Sequence, residues 1–237
     1  MPFPIFVLKR QARRLAREKN LPLHQALDAV ARREGFQAWS HLVAATSRPA
    51  TPEPEITIKP GELMLIGARP GQGKTLFGLS FAADAVRAGH SASIFSLEET
   101  EPAIRQRFER LGRTDALTSG KLQIDLTEGL DAEHIMSRLS CAQPGDVAVV
   151  DYLQLLDLNR RSPPLREQIA RLRGLAREKR MRIAFLSQID RRFELSGKSL
   201  PDYGDVRRLD ALGTGLFDKA CFLHKGRTSL VALPTAG

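Results

Sequence analysis

The run Gly67-Ala68-Arg69-Pro70-Gly71-Gln72-Gly73-Lys74-Thr75 places three glycines, a lysine and a hydroxyl within nine residues. Phosphate needs a concave nest of backbone N–H groups, which glycine-rich turns let approach closely, and a following helix N-terminus adds partial positive charge. Lys74 is then expected to reach the β and γ phosphates of a nucleoside triphosphate, and the Thr75 hydroxyl to ligate Mg²⁺. The expected cofactor-binding set is Ala68, Arg69, Pro70, Gly71, Gln72, Gly73, Lys74, Thr75 and Leu76. The strict pattern has Gly where Ala68 stands, with Gly67 one place earlier.

A phosphate loop calls for an acidic residue at the end of another buried strand. Asp146-Val147-Ala148-Val149-Val150-Asp151 supplies one in Asp151, a candidate for holding the Mg²⁺ water shell. Hydrolysis also needs a group that orients and deprotonates water, for which Glu98 is the first candidate and Glu99 its competitor. Gln188 offers an uncharged amide that can hydrogen-bond the γ phosphate and report its loss. Glu98, Lys74 and Gln188 form the expected catalytic set.

These residues sit on a regular alternation. The runs Leu63 to Ala68, Ser91 to Leu97, Leu122 to Leu126, Val147 to Leu153, Arg182 to Ser187 and Lys219 to His224 read as strands, with helical patterns between them. That order predicts an α/β domain whose mostly parallel central sheet is covered on both faces. In the helix before Arg182, Ser162 is expected as cap and Pro163 at the first position. Leu165, Ile169, Leu172, Leu175 and Ala176 form its apolar stripe, and Glu167 is set to pair with Arg171. Its other face carries Arg171, Arg173, Arg177, Lys179 and Arg180.

Ahead of this domain, residues 1–45 read as a small helical segment, and residues 46–55, with Pro49, Pro52 and Pro54, as a linker. The catalytic domain is expected over residues 56–237. Lys9, Arg10, Arg13, Arg14 and Arg17 crowd the first helix, where they serve either as a phosphate-contacting face or as a solvated one.

Composition narrows the class. The 237 residues hold 36 Lys and Arg against 27 Asp and Glu, a net charge of +9, which favours a polyanionic partner such as nucleic acid. Cys141 and Cys221 fit neither zinc spacing nor a disulfide scaffold and read as plain thiols. The apolar residues near the start precede the basic ones, the reverse of a secretory signal, and no run approaches a membrane span. A cytoplasmic protein without membrane contact is expected.

The motifs resemble the C-terminal ATPase domain of the DnaB-type bacterial replicative DNA helicases. The resemblance is carried by Gly67 to Pro70 running into Gly73-Lys74-Thr75, by Phe95-Ser96-Leu97-Glu98, by Asp151-Tyr152-Leu153-Gln154-Leu155, and by Leu186-Ser187-Gln188 with Arg191 following. It covers Ile56 to Leu223. It implies a RecA-like P-loop core that assembles into a homo-oligomeric ring, a hexamer by family habit, with ATP and Mg²⁺ bound between subunits and single-stranded DNA in the channel. By matched position Glu98 corresponds to the catalytic glutamate, Asp151 to the magnesium-associated aspartate and Gln188 to the γ-phosphate sensor. The channel loops would fall near residues 159–164 and 205–214, making Arg160, Arg161, Arg207 and Arg208 the DNA-contact candidates. Arg227, in Lys225-Gly226-Arg227, is the candidate arginine finger.

The short basic helical segment stands where the family carries a larger domain. Contacts with replication proteins therefore do not transfer residue by residue. Two functions remain in view: an ATP-hydrolysing helicase or translocase on single-stranded DNA, and an ATP-dependent assembly switch that loads or regulates another machine.

Overall fold

The computed structural model describes residues 5–33, 36–47, 58–151, 153, 156, 162–207 and 215–234. The chain divides into two compact units, Met1–Glu55 and Ile56–Gly237.

The first unit is three helices, α1 (Ile5–Glu18), α2 (Leu23–Arg33) and α3 (Trp39–Ser47). Leu8, Ala12 and Leu15 recur at helical spacing along α1 and are buried against Ala26, Val30, Ala31 and Leu42. The start of α3 is held by Asp28, whose carboxylate accepts from the Trp39 N–H at 2.8 Å. This satisfies one of the donors that every helix start leaves open.

The second unit is a seven-stranded sheet in the order β3-β2-β4-β5-β1-β6-β7. Its strands are β1 (Leu63–Ala68), β2 (Ala92–Ser96), β3 (Leu122–Asp125), β4 (Val147–Asp151), β5 (Arg182–Gln188), β6 (Lys219–His224) and β7 (Arg227–Ala232). All neighbouring pairs are parallel except β6 with β7. Every residue of β1 and of β4 is buried. That is the reason these strands read as unbroken apolar runs: in a parallel sheet covered on both faces neither side-chain direction meets water.

Alternation then sorts the core. Met64 and Ile66 of β1 pack with α4 (Lys74–Arg87) and α5 (Glu101–Arg110), whereas Leu63 and Leu65 join the cluster formed with α7 (Ala132–Arg138) and α8 (Leu165–Lys179). A short helix, α6 (Thr114–Thr118), extends the first layer. Gly78 lets α4 approach the sheet closely, since a Cβ there would stand 3.0 Å from both Leu186 and Val149 side-chain carbons.

The structure corrects the sequence reading in several places. β7 has no counterpart in that reading; it returns through a two-residue turn, Lys225-Gly226, with positive φ at both positions (49° and 73°), the geometry that tight hairpins require. The strands expected to reach Leu97, Leu126 and Leu153 stop at Ser96, Asp125 and Asp151. Ser162 does not cap α8 and Pro163 is not in it. Pro164 restrains the residue before it to extended backbone, so the helix starts at Leu165, and the Ser162 hydroxyl instead donates to Asp131 at 3.3 Å. Arg171 pairs with Glu133 on α7 at 3.0 Å rather than with Glu167. Arg173, grouped with the basic residues opposite the apolar stripe, is buried: it donates to the Gly215 carbonyl and pairs with Asp218 at 2.9 Å. Asp218 in turn accepts from the Leu63 N–H at 2.8 Å.

A buried amide adds a feature that the sequence reading lacks. Gln168 of α8 donates to the Leu156 and Pro163 carbonyls (2.6 and 2.8 Å) and accepts from the Ala132 N–H at 3.0 Å. All of these bonds go to backbone, so Gln168 ties α8 to the start of α7 and to the chain after β4. The available signal is a Gln inside an apolar stripe, one place before Ile169.

Candidate nucleotide site

β1 lies inside the sheet between β5 and β6, and its C-terminal end delivers the chain into residues 69–73. The turn depends on Gly71 (φ 77°) and Gly73 (φ 93°), both in left-handed backbone that L side chains adopt at a cost. A Cβ at either glycine would meet nothing within 4 Å, so the space above the turn is open. Just before it, Gly67 has the opposite requirement: a Cβ there would lie 2.8 Å from the Phe222 ring. Helix α4 starts at Lys74, with the Phe77 N–H bonded to the Gly73 carbonyl at 2.9 Å. Its first turn therefore presents backbone donors toward the open space.

Strand register sets the facing carboxylates. Ser96 of β2 is level with Asp151 of β4, and Asp151 with Leu186 of β5. Asp151 is almost wholly buried; its two oxygens accept from Lys74 Nζ at 2.7 Å and Thr75 Oγ1 at 3.0 Å. Glu98 stands 3.6 Å from the same ammonium and keeps 34% of its side chain exposed. Its N–H donates to Ser96 Oγ at 3.2 Å, which fixes the turn out of β2. Glu99 is held elsewhere: Arg107 of α5 grips it through two nitrogens, one at 2.5 Å. The structure thus sets Glu98, not Glu99, against Lys74.

Gln188 closes β5, level with Ala68 at the start of the loop. Its carbonyl accepts from the Arg207 N–H at 2.9 Å, and its amide oxygen from Arg207 Nη1 at 3.3 Å. Arg69 reaches out of the loop to the same exit, donating to the Ile189 carbonyl at 3.1 Å and pairing with Glu194 at 2.9 Å. On the other flank Gln72 accepts from the Lys225 N–H at 2.7 Å, so the β6–β7 turn leans on the loop and Arg227 opens β7 beside it. Arg160, Arg161 and Arg208 lie outside the described residues, as do Tyr152, Gln154, Leu155 and most of the two segments expected as channel loops.

The donor set suits Mg-ATP. An open glycine turn at a helix start can take phosphate oxygens, and Lys74 carries the neutralising charge. The Thr75 hydroxyl and the Asp151 carboxylate supply hard oxygen ligands of the number Mg²⁺ takes from protein when phosphates and waters complete its shell. Among the described residues no group of three or more His, Cys, Asp or Glu is placed to hold a metal alone, and no helix is long and apolar enough to cross a membrane.

A second carboxylate cluster stands at the end of β3. Asp125 is buried and accepts from the Thr127 N–H at 3.0 Å, with His134 Nε2 at 2.9 Å and Arg138 Nε at 3.0 Å. Burial pushes its pKa up, but the hydrogen bonds from Thr127 and His134 outweigh burial and bring it down from 3.8 to about 2.

The family model described as the DnaB-like helicase C-terminal domain matches residues 56–113 and 106–228. The replicative DNA helicase DnaB of Treponema pallidum is 29% identical over 197 residues, covering 70% of this chain and 44% of that protein. The replicative DNA helicase DnaC of Bacillus subtilis is 30% identical over 196 residues, covering 69% and 43%. The chain thus spans less than half the length of these curated relatives. Among solved structures, one described as an ATPase domain aligns with a TM-score of 0.56 at 22% identity, over 70% of each chain. A DnaB-like replicative helicase whose structure was described with its interactions with primase aligns with a TM-score of 0.59 at 21% identity, over 92% of this chain and 66% of that one. These likenesses give the fold, the one shared by the DnaB-like domains, preceded here by three helices.

Proposed function

The chain belongs to the DnaB-like helicase C-terminal domain family, and from that premise we propose that it binds Mg-ATP at the Gly67–Thr75 loop, hydrolyses it and uses the cycle to move on single-stranded DNA as a homo-oligomeric ring. The observation that carries this reading is the meeting of Lys74, Thr75, Asp151 and Glu98 at one point on the C-terminal edge of the sheet. Mg-ATP supplies the phosphoryl group that is transferred to water. Lys74 exchanges its Asp151 partner for phosphate oxygens, and Thr75 and Asp151 hold the cation. Glu98 orients the attacking water and receives its proton, and Gln188 bonds the γ phosphate. Such catalysis is positioning plus charge neutralisation, with little covalent work for the protein.

The same reading divides the chain into a helical segment, which α3 carries to Ser47 rather than to residue 45, a linker that runs on to residue 55, and an ATPase domain from residue 56, with the cytoplasm as its compartment. Of the four DNA-contact candidates Arg207 alone lies among the described residues, and its bond to Gln188 couples it to the proposed γ-phosphate contact. Arg227 is the proposed arginine finger, supplied to a neighbouring subunit. Primase interaction belongs to the solved relative and is at most a partner class to try.

The test is ATP turnover with and without single-stranded DNA, alongside mass determination in ATP. Severalfold stimulation in an oligomer is expected, and Glu98→Gln should keep ATP binding while losing roughly 10²–10⁴-fold in turnover. Hydrolysis that ignores DNA would point to the assembly switch, and a monomer in ATP would remove the ring.

A further inference from the structure

The first unit carries a disproportionate charge. Residues 1–47 hold eight Lys or Arg and three Asp or Glu, a net of +5 out of the chain's +9. Lys9, Arg13, Arg14, Arg17 and Lys19 of α1 and the turn after it are exposed. Among the described residues Arg14 alone of these five forms an ion pair, with Glu18 at 2.6 Å. Asp28 faces inward, its carboxylate engaged by the Trp39 N–H. Hence the charge is not neutralised within the unit. From Lys9 to Arg17 the stripe runs about 12 Å along the helix, a length that covers several phosphates of a nucleic-acid strand.

A basic amphipathic helix can also lie on an anionic membrane, with its apolar face in the lipid. Here that face is already used: Leu8, Ala12 and Leu15 are buried in the unit's own core. Charge alone remains to be presented outward, which fits a phosphate backbone better than a bilayer.

We propose that the α1 face centred on Arg13 and Arg17 is a nucleic-acid phosphate-binding surface, independent of sequence and separate from the nucleotide loop. It gives the chain a hold on nucleic acid that does not require ATP. The proposal stands whether or not the loop hydrolyses nucleotide.

The full chain, without nucleotide, is titrated onto a labelled single-stranded oligonucleotide and onto its duplex across a salt series. Arg13→Glu with Arg17→Glu should lower affinity at least tenfold at about 50 mM salt and make the slope of log K against log[salt] shallower by roughly two. The milder pair Arg13→Gln with Arg17→Gln, which adds no repulsion, should flatten the slope by a similar amount with a smaller loss of affinity. Arg105→Glu with Arg110→Glu on α5 changes net charge equally and should leave affinity within about twofold if the stripe, not bulk charge, is the site. Circular dichroism checks that each variant stays helical. Equal losses in the α1 and α5 pairs, no loss in either, or wild-type binding to phosphatidylglycerol vesicles but not to nucleic acid would each overturn the proposal.

Discussion

Asp151 and Asp125 stand in the same kind of place, a buried carboxylate at the C-terminal end of a parallel strand, each meeting a cationic side chain. They differ in where their partners come from. Asp125 draws Thr127, His134 and Arg138 from the next thirteen residues, so the cluster closes on itself. Asp151 draws Lys74 and Thr75 from 77 and 76 residues away, across the sheet from the glycine turn. The Asp125 cluster ties the end of β3 to the helix that follows it. The carboxylate satisfied by the lysine and threonine of a glycine loop is, on the proposed function, the one that trades partners. Burial and pairing are common to both, so it is the chemistry of the partners that sets Asp151 apart.

The contrast is broken most directly by removing each charge in turn. Asp151→Asn should lower turnover by about 10²–10³-fold, the range for losing one preorganised electrostatic contact, while the protein stays folded, as a steady-state assay beside thermal melting will read. Asp125→Asn should do the reverse. It should leave turnover near wild type and cost about 1–3 kcal/mol of stability in denaturant titration, the penalty for weakening a buried charged hydrogen-bond set.

The acid limb sharpens that difference. Because the Asp125 pKa is lowered on folding from 3.8 to about 2, its contribution is present above pH 3.8 and is lost as the pH falls toward about 2. The Asp125→Asn variant should therefore show a flatter loss of stability over that window than wild type. The smallest effect belongs to Arg138→Ala. Arg138 is half exposed, so removing it should change stability by about 0–1 kcal/mol and turnover not at all. A large activity loss there would mean that the β3 cluster serves the nucleotide after all.

Much of the fold and site is legible in the chain because it is local. The glycine spacing, the lysine and hydroxyl that follow it, and the apolar runs that form β1, β4 and β5 are patterns within a few residues, imposed by backbone sterics and burial on both faces. Arg173 illustrates the limit. By periodicity it belongs to the polar side of α8, yet it is buried on the Gly215 carbonyl and Asp218, and its helix alone carries no sign of that. The β6–β7 return escapes a sequence reading for a related reason: Lys225-Gly226 lacks the Asn-Gly signature, and the positive φ at Lys225 is visible in the backbone alone.

The sequence by itself determined that a phosphate-type turn follows a buried strand, that strands and helices alternate, and that positive charge gathers at the start of the chain. It left Glu98 and Glu99 in competition. Tertiary structure separated them, because Arg107 reaches back from α5 to hold Glu99 while Glu98 faces Lys74. Strand order was likewise invisible in the chain, yet it is the order β2-β4-β5-β1 that brings Glu98, Asp151 and Gln188 to the loop. Local spacing limits what a segment can do. Which segments meet is set by closing the long loops between them around one core, and that depends on all of the chain at once.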